Sequence, residues 1–335
     1  MDSLTHIALG ATIGEAFYGK KLGRKAMFLG AVAQSTPDID FVASFWLDTP
    51  YSLMAHRGFT HSIMFVILAT WGIGHLAERW QRHQGIAMWR WLLFLGTEML
   101  IHIFIDAFNN YGVGWFEPFS HLRVSFQSIF VADPFFSIWP AISFAALLTL
   151  KARNRMRKAW WMMGLLMSGL YLSYCVFNKA VISSRVKHLL AKQEIPYTRY
   201  FTTPSPLNNW LWFVAAGNDS GYYVGYHSVL GRKPELDLTF FPRNDSLASH
   251  LENTEAFQVL KRFSQGYYTI EKWGDTLVFN DLRFGQVIGW HDPKERFAFH
   301  YFLNYRENEL VVQRGRFAKW DRESLRSLVR RIGGH

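Results

Sequence analysis

The run MWRWLLFLGTEMLIHIFIDAF, residues 88–108, decides the fold. It is as long as the roughly 17–25 apolar residues that cross a hydrocarbon core. It nevertheless carries Glu98, His102 and Asp106 at four-residue spacing. Residues four apart share one face of a helix, so these groups form a single stripe. Unpartnered ionisable groups inside a membrane cost on the order of several kcal/mol, so the stripe is expected to face protein or an ion.

Five further apolar runs lie at 4–18, 26–47, 62–77, 134–150 and 159–181. The mean hydropathy of −0.01 reflects a polar second half diluting an apolar first half. The expected fold class is an α-helical membrane bundle of about six transmembrane helices, followed by a small, mainly antiparallel β domain outside the membrane. A soluble all-α enzyme is the competing reading. Lys20, Lys21, Arg24 and Lys25 follow the first run, Arg79, Arg82 and Arg90 the third, and Lys151, Arg153, Arg155, Arg157 and Lys158 the fifth. The positive-inside rule places these three loops in the cytoplasm, so the N-terminus and everything after 181 fall outside. Trp46, Trp80, Trp89, Trp91, Trp115, Trp160 and Trp161 sit where interfacial anchors belong. The first run lacks a basic n-region and a small-residue cleavage site, so it reads as a retained helix rather than a signal peptide.

The domains expected are a bundle over 1–181, a helical linker over 182–206 and a β-rich extracytoplasmic domain over 207–335. Pro196, Pro204 and Pro206 break the helical pattern. Strand-like runs follow at 209–216, 222–229, 235–241, 266–273, 276–281, 286–290, 296–303 and 309–314, with helices near 254–263 and 321–331. The net charge of +10 is concentrated in the basic loops and near Arg326–Arg331, which fits orientation and anionic headgroups better than a nucleic-acid groove. The lone Cys175 cannot form an intramolecular disulfide.

On the geometry above, His6, Asp38, Asp40, His56, His61, His102 and Asp106 all come to the same side of the membrane. In Thr36-Pro37-Asp38-Ile39-Asp40 the proline ends regular helix, and two carboxylates on irregular backbone can converge on a cation. In His56-Arg57-Gly58-Phe59-Thr60-His61-Ser62, Gly58 permits a sharp turn, Thr60 can cap the next helix, and Arg57 suits a phosphate or carboxylate. Asp2 and His6 form another four-residue pair, and Gly10 and Gly14 give the first helix a small-residue face for close packing. The metal ligands expected are His6, Asp38, Asp40, His61, His102 and Asp106. His56 is either a ligand or a supporting group. Asp2 and Glu98 stand one layer behind, with Asn109 and Asn110 orienting charge.

Together with Asn110-Tyr111-Gly112 and Pro118-Phe119, these pieces resemble, in order and spacing over roughly the first 140 residues, the bacterial inner-membrane metal-dependent hydrolases of the YdjM-like type. The resemblance implies a membrane-embedded hydrolase of the bacterial inner membrane. The helix-borne His and Asp groups are also distantly similar to zinc-dependent phospholipase C enzymes and their related nucleases.

Six candidate ligands exceed the three protein ligands usual for one catalytic zinc, so two divalent ions are expected, with zinc favoured over manganese or iron. Metal-activated water would cleave a phosphoester of a lipid or lipid-linked substrate at the outer face. Asp38 would accept a proton, Arg57 would stabilise developing charge, and His56 would assist. Membrane lipids and that substrate are the expected partners, nucleic acid is not, and the β domain's protein partner is open. The alternatives are a metal-binding transporter, hinted at by Glu15 and Glu98, and a non-enzymatic scaffold whose metal ties helices together.

Overall fold

Three glycines and an alanine set how closely the first two helices pack. In the computed structural model, which describes residues 1–231, 234–303, 317 and 319–334, α1 (Ser3–Leu22) and α2 (Arg24–Ser35) form a hairpin about Gly23, whose φ of 58° favours glycine. A Cβ on Gly30 would stand 2.1 Å from the Gly10 carbonyl oxygen, and one on Gly14 would stand 2.2 Å from the Ala26 carbonyl oxygen. The backbones therefore touch directly, which only small residues allow. Asp2 caps α1 by accepting from the Thr5 N–H at 3.0 Å and from its hydroxyl at 2.6 Å.

The chain divides into two compact units, residues 1–46 with 55–175 and residues 47–54 with 176–335. In the first, α4 (Ile63–Trp80), α5 (Met88–Asp106), α6 (Pro134–Thr149) and the first part of α7 (Met156–Lys192) join the hairpin. Trp91, Phe94, Leu95 and Met99 of α5 are fully buried. At the far end of α1 from His6, the buried Arg157 guanidinium grips Glu15 through two hydrogen bonds of 2.8 and 2.6 Å and also donates to the carbonyls of Leu147 and Leu150. The pairing satisfies both buried charges and gives partners to C-terminal carbonyls of α6.

By length and composition α5 and α7 can each cross a membrane, and a third span results if the helices Thr49–His61 and Ile63–Trp80 count as one broken span. The expected single helix over 26–47 does not form. At 12 residues, α2 covers only about 18 Å, and Pro37 hands the chain to a 3₁₀ helix, Pro37–Phe45. Proline has no N–H to continue the α ladder.

The second unit contains α3 (Thr49–Ala55) up to residue 54, the end of α7 and an antiparallel β domain. One sheet has the order β1 (Arg199–Pro204), β2 (Leu211–Asn218), β3 (Gly221–Ser228), β4 (Leu238–Pro242), and a second the order β5 (Tyr268–Trp273), β6 (Thr276–Gln286), β7 (Phe297–Phe302). Ile182, Val186 and Leu190 of α7 pack on Trp212, Val214 and Ala216 of β2. In α8 (Glu255–Phe263), Phe257 meets Phe279 of β6 edge-on. The closing helix α9 (Arg322–Ile332) is held by a capping box between Asp321 and Ser324. The hydrogen bonds from Ser324 hold the Asp321 carboxyl below its usual range.

β1 was not expected, because its closing Pro204 reads as a breaker. As an edge strand that pairs, among the described residues, only with β2, it tolerates a proline. The run at 286–290 is the end of β6 and a turn rather than a strand of its own, and the run at 309–314 lies outside the described residues.

The glycine contact yields a direct test. Gly30→Ala must push α1 from α2 and is expected to cost about 1–3 kcal/mol, read as a lower melting temperature in detergent. Gly72→Ala on α4, where a Cβ meets nothing within 4 Å, should leave the melt unchanged or slightly raised.

Candidate metal centre

Four side chains on three elements converge. Asp38 comes from the 3₁₀ helix, His61 from the short 3₁₀ turn Phe59–His61, and His102 and Asp106 from the last turn of α5. One ligand atom from each lies within 4.8 Å of all the others. The Nε2 atoms of His61 and His102 are 3.1 Å apart. Asp38 Oδ1 stands 3.7 Å from the first and 3.5 Å from the second, and Asp106 Oδ2 stands 3.5 and 3.8 Å from them.

The outer edges of the two rings fix what the inner edges can be. His102 Nδ1 lies 2.5 Å from the Gln34 main-chain carbonyl, which can only accept, so this nitrogen carries the proton. His61 Nδ1 faces Asp40 Oδ2 at 3.5 Å and the Thr60 hydroxyl at 3.2 Å, and the carboxylate likewise favours a proton there. Both Nε2 atoms then present lone pairs. Two lone pairs and two carboxylate oxygens facing one point, without a donor among the four, make a group that could hold a cation. This backing of each imidazole by a carbonyl or carboxylate is the usual support for metal-ligating histidine.

Asp40 is committed elsewhere. It accepts from the Arg57 N–H at 2.6 Å, from Thr60 Oγ1 at 3.3 Å and from His56 Nδ1 at 3.2 Å, so it organises the 56–61 loop. The left-handed residue of that loop is Arg57, with φ 57°, while Gly58 has φ −84°. A non-glycine residue pays about 1–2 kcal/mol for that conformation. The Asp40 bond, the Gly114 N–H donating to the Arg57 carbonyl at 2.9 Å and Arg123 Nη1 donating to the His56 and Arg57 carbonyls at 2.8 and 3.2 Å hold it there. The buried Arg57 guanidinium lies 3.0 Å from Asp106 Oδ2, donates to Asn109 Oδ1 at 2.8 Å and to the Met1 carbonyl at 3.1 Å, and lies over the Tyr111 ring.

Residues 1–182 match the model of the YdjM inner membrane protein family. The chain belongs to this family. Inner membrane protein YbcI of Escherichia coli K12 is 32% identical over 145 residues, which are 42% of this chain and 75% of YbcI. The uncharacterized protein YfhP of Bacillus subtilis is 30% identical over 148 residues, 41% of this chain and 43% of YfhP. No solved structure matches. The YdjM match takes in the whole of the centre and ends within α7, before the β domain begins.

Of the six expected ligands, the structure brings four together. Asp40 stands behind His61. The buried His6 stacks on His102 at 3.8 Å between ring centroids and points Nε2 at Asp106 Oδ1, 3.2 Å away, leaving its Nδ1 without a hydrogen-bond partner. The Met1 ammonium also pairs with Asp106. His56 is 40% exposed and outside the four-atom group. Asp2 caps α1 rather than reaching His6, and Asn109 holds Arg57. Asn110 is half-buried on the loop after α5. Thr60 serves Asp40 and His61, while Ser62 caps α4 by accepting from the Phe65 N–H at 3.0 Å. Glu98 reaches His102 only through Gln34, whose side-chain amide donates to Glu98 Oε2 at 3.1 Å in the orientation that satisfies both groups. Gln34 and Arg123 are the contributors that the pattern did not reveal. Gln34 acts through its main chain, which any residue type supplies. Arg123 lies in a loop as an isolated charge, outside any motif.

Asp40→Asn separates support from ligation. It weakens the acceptor behind His61 and Arg57 but leaves the four converging groups, so zinc affinity should fall about 10–100-fold with stoichiometry unchanged in calorimetric titration. Loss of the whole binding event would make Asp40 a ligand.

Proposed function

We propose that this YdjM-family chain is a membrane-embedded, metal-dependent hydrolase that cleaves a phosphoester of a lipid or lipid-linked substrate. The observation supporting it is the four-acceptor convergence of Asp38, His61, His102 and Asp106, backed by Gln34 and Asp40. Two imidazole nitrogens and two carboxylate oxygens suit zinc, with manganese or iron as substitutes. Counting ligands led to an expectation of two ions. With Asp40 tied to the 56–61 loop and Arg57 paired to Asp106, the arrangement favours one ion beside one fixed guanidinium.

A divalent ion held there would acidify water and polarise a phosphoryl oxygen. The chain's own groups divide the remaining work. His61 and His102 keep their protons on Nδ1 and their lone pairs inward. Arg57 holds the Asp106 carboxylate in place from 3.0 Å. Asp38, with 22% of its side chain exposed where the other three are fully buried, is the group at the mouth and the one placed to take a proton from an attacking nucleophile. The same 3₁₀ helix and the residue after it expose Ile39, Phe41, Phe45 and Trp46, an apolar approach suited to an acyl chain. A bundle of six crossings with the centre on the outer side is consistent with the basic loops. A transport path gains less support, because Glu15 is tied to Arg157 and Glu98 to Gln34.

Purified in mild detergent, the chain should carry about one zinc or manganese per molecule by elemental mass spectrometry, and a His61→Ala, His102→Ala variant should carry none. Phosphoester hydrolysis of a phospholipid panel should follow metal content and fall at least about 10³-fold in His102→Ala and Asp106→Ala, the scale expected when a main catalytic element is removed. Hydrolysis that survives metal removal or either substitution would overturn the reading.

A further inference from the structure

The closing helix α9 has two unlike faces. Its inner face is fastened to the β domain. Trp290 Nε1 donates to the Ser324 carbonyl at 3.0 Å, Ser228 Oγ donates to the Ile332 carbonyl at 2.6 Å, and Leu328 is buried. Arg331 is turned to this side, with Nη2 3.4 Å from the Tyr226 carbonyl and Nη1 3.5 Å from Asp237 Oδ2. The outer face carries Arg322, Arg326 and Arg330 at four-residue spacing, all exposed, and alongside them Leu325 and Val329. Val329 is 70% exposed and Leu325 is 44% exposed. Glu323 is the only acidic residue within the helix.

A solvated helix face does not need two aliphatic side chains between arginines. A helix lying in a membrane interface does, because its apolar groups enter the acyl boundary while arginine stems lie along it and their heads reach headgroup phosphates. The charge is of the sign that anionic lipids attract. The chain is a member of an inner membrane protein family, so a bilayer surface is covalently within reach of the unit that carries α9. We infer that the outer face of α9 docks on an anionic bilayer surface, with Leu325 and Val329 in the interface and Arg322, Arg326 and Arg330 on the headgroups. This inference is independent of what the metal centre does.

The test uses the full chain in nanodiscs with an environment-sensitive fluorophore on Val329→Cys, the native Cys175 being buried. In mixed phosphatidylcholine–phosphatidylglycerol discs the emission should shift to the blue and be quenched by brominated lipid. In pure phosphatidylcholine both effects should be lost. Each arginine near an anionic surface changes occupancy roughly five-fold, so an R322Q/R326Q/R330Q variant should lose roughly a hundred-fold of it. About 1 M salt, where the Debye length is about 3 Å, should release the unsubstituted helix without any sequence change. A probe that stays water-exposed in the anionic discs would overturn the inference. Insertion of equal extent in both lipids, insensitive to salt and to the triple substitution, would overturn it as well, leaving a purely apolar contact or a protein neighbour.

Discussion

The direct backbone contact between α1 and α2 is the constraint on which the centre depends. Gly10 and Gly30 let two helices meet with no side chain between them, so neither can slide or rotate without a steric clash. α1 carries His6 to the ring of His102, and α2 ends at Gln34 and Ser35, one turn before Asp38. The carbonyl that fixes the His102 proton is thus delivered by the glycine contact at one remove. In a lipid environment, where association between helices gains little from apolar burial alone, such close packing is the main source of precision.

Arg57 solves a second problem. A cluster of inward-facing acceptors repels itself, and the Asp106 carboxylate within it is fully buried. A permanent guanidinium 3.0 Å away offsets that repulsion, and unlike lysine it offers several donors in one plane. The backbone at position 57 is left-handed, and Asp40 and Arg123 hold it through its N–H and its carbonyl. The arginine that sequence reasoning assigned to substrate is therefore largely occupied within the protein.

Much of this was legible because it rests on periodicity and residue type. The four-residue spacing of His102 and Asp106 placed both on one helical face, and alternation with turn residues located β2 through β7 to within a few positions. The different fates of Asp38 and Asp40 were not legible. Their separation on 3₁₀ backbone sends one carboxylate to the histidines and the other to a loop, and a one-residue spacing read from sequence does not distinguish convergence from divergence. The sharp turn was ascribed to Gly58 because glycine is the permissive residue, yet the left-handed conformation falls on Arg57, held by tertiary contacts. The main-chain carbonyl of Gln34 has no sequence signature at all.

The acceptor cluster has a further consequence for the life of the protein in its cell. Were an ion to bind these four groups in the folded chain alone, folding and occupancy would become one equilibrium. The fraction of chain that survives quality control would then rise with the supply of the ion: at a free concentration 100 times the dissociation constant the folded state gains about 2.7 kcal/mol. On the function proposed above, the same arrangement would act as a gauge of metal supply, with less folded chain retained when the ion runs short.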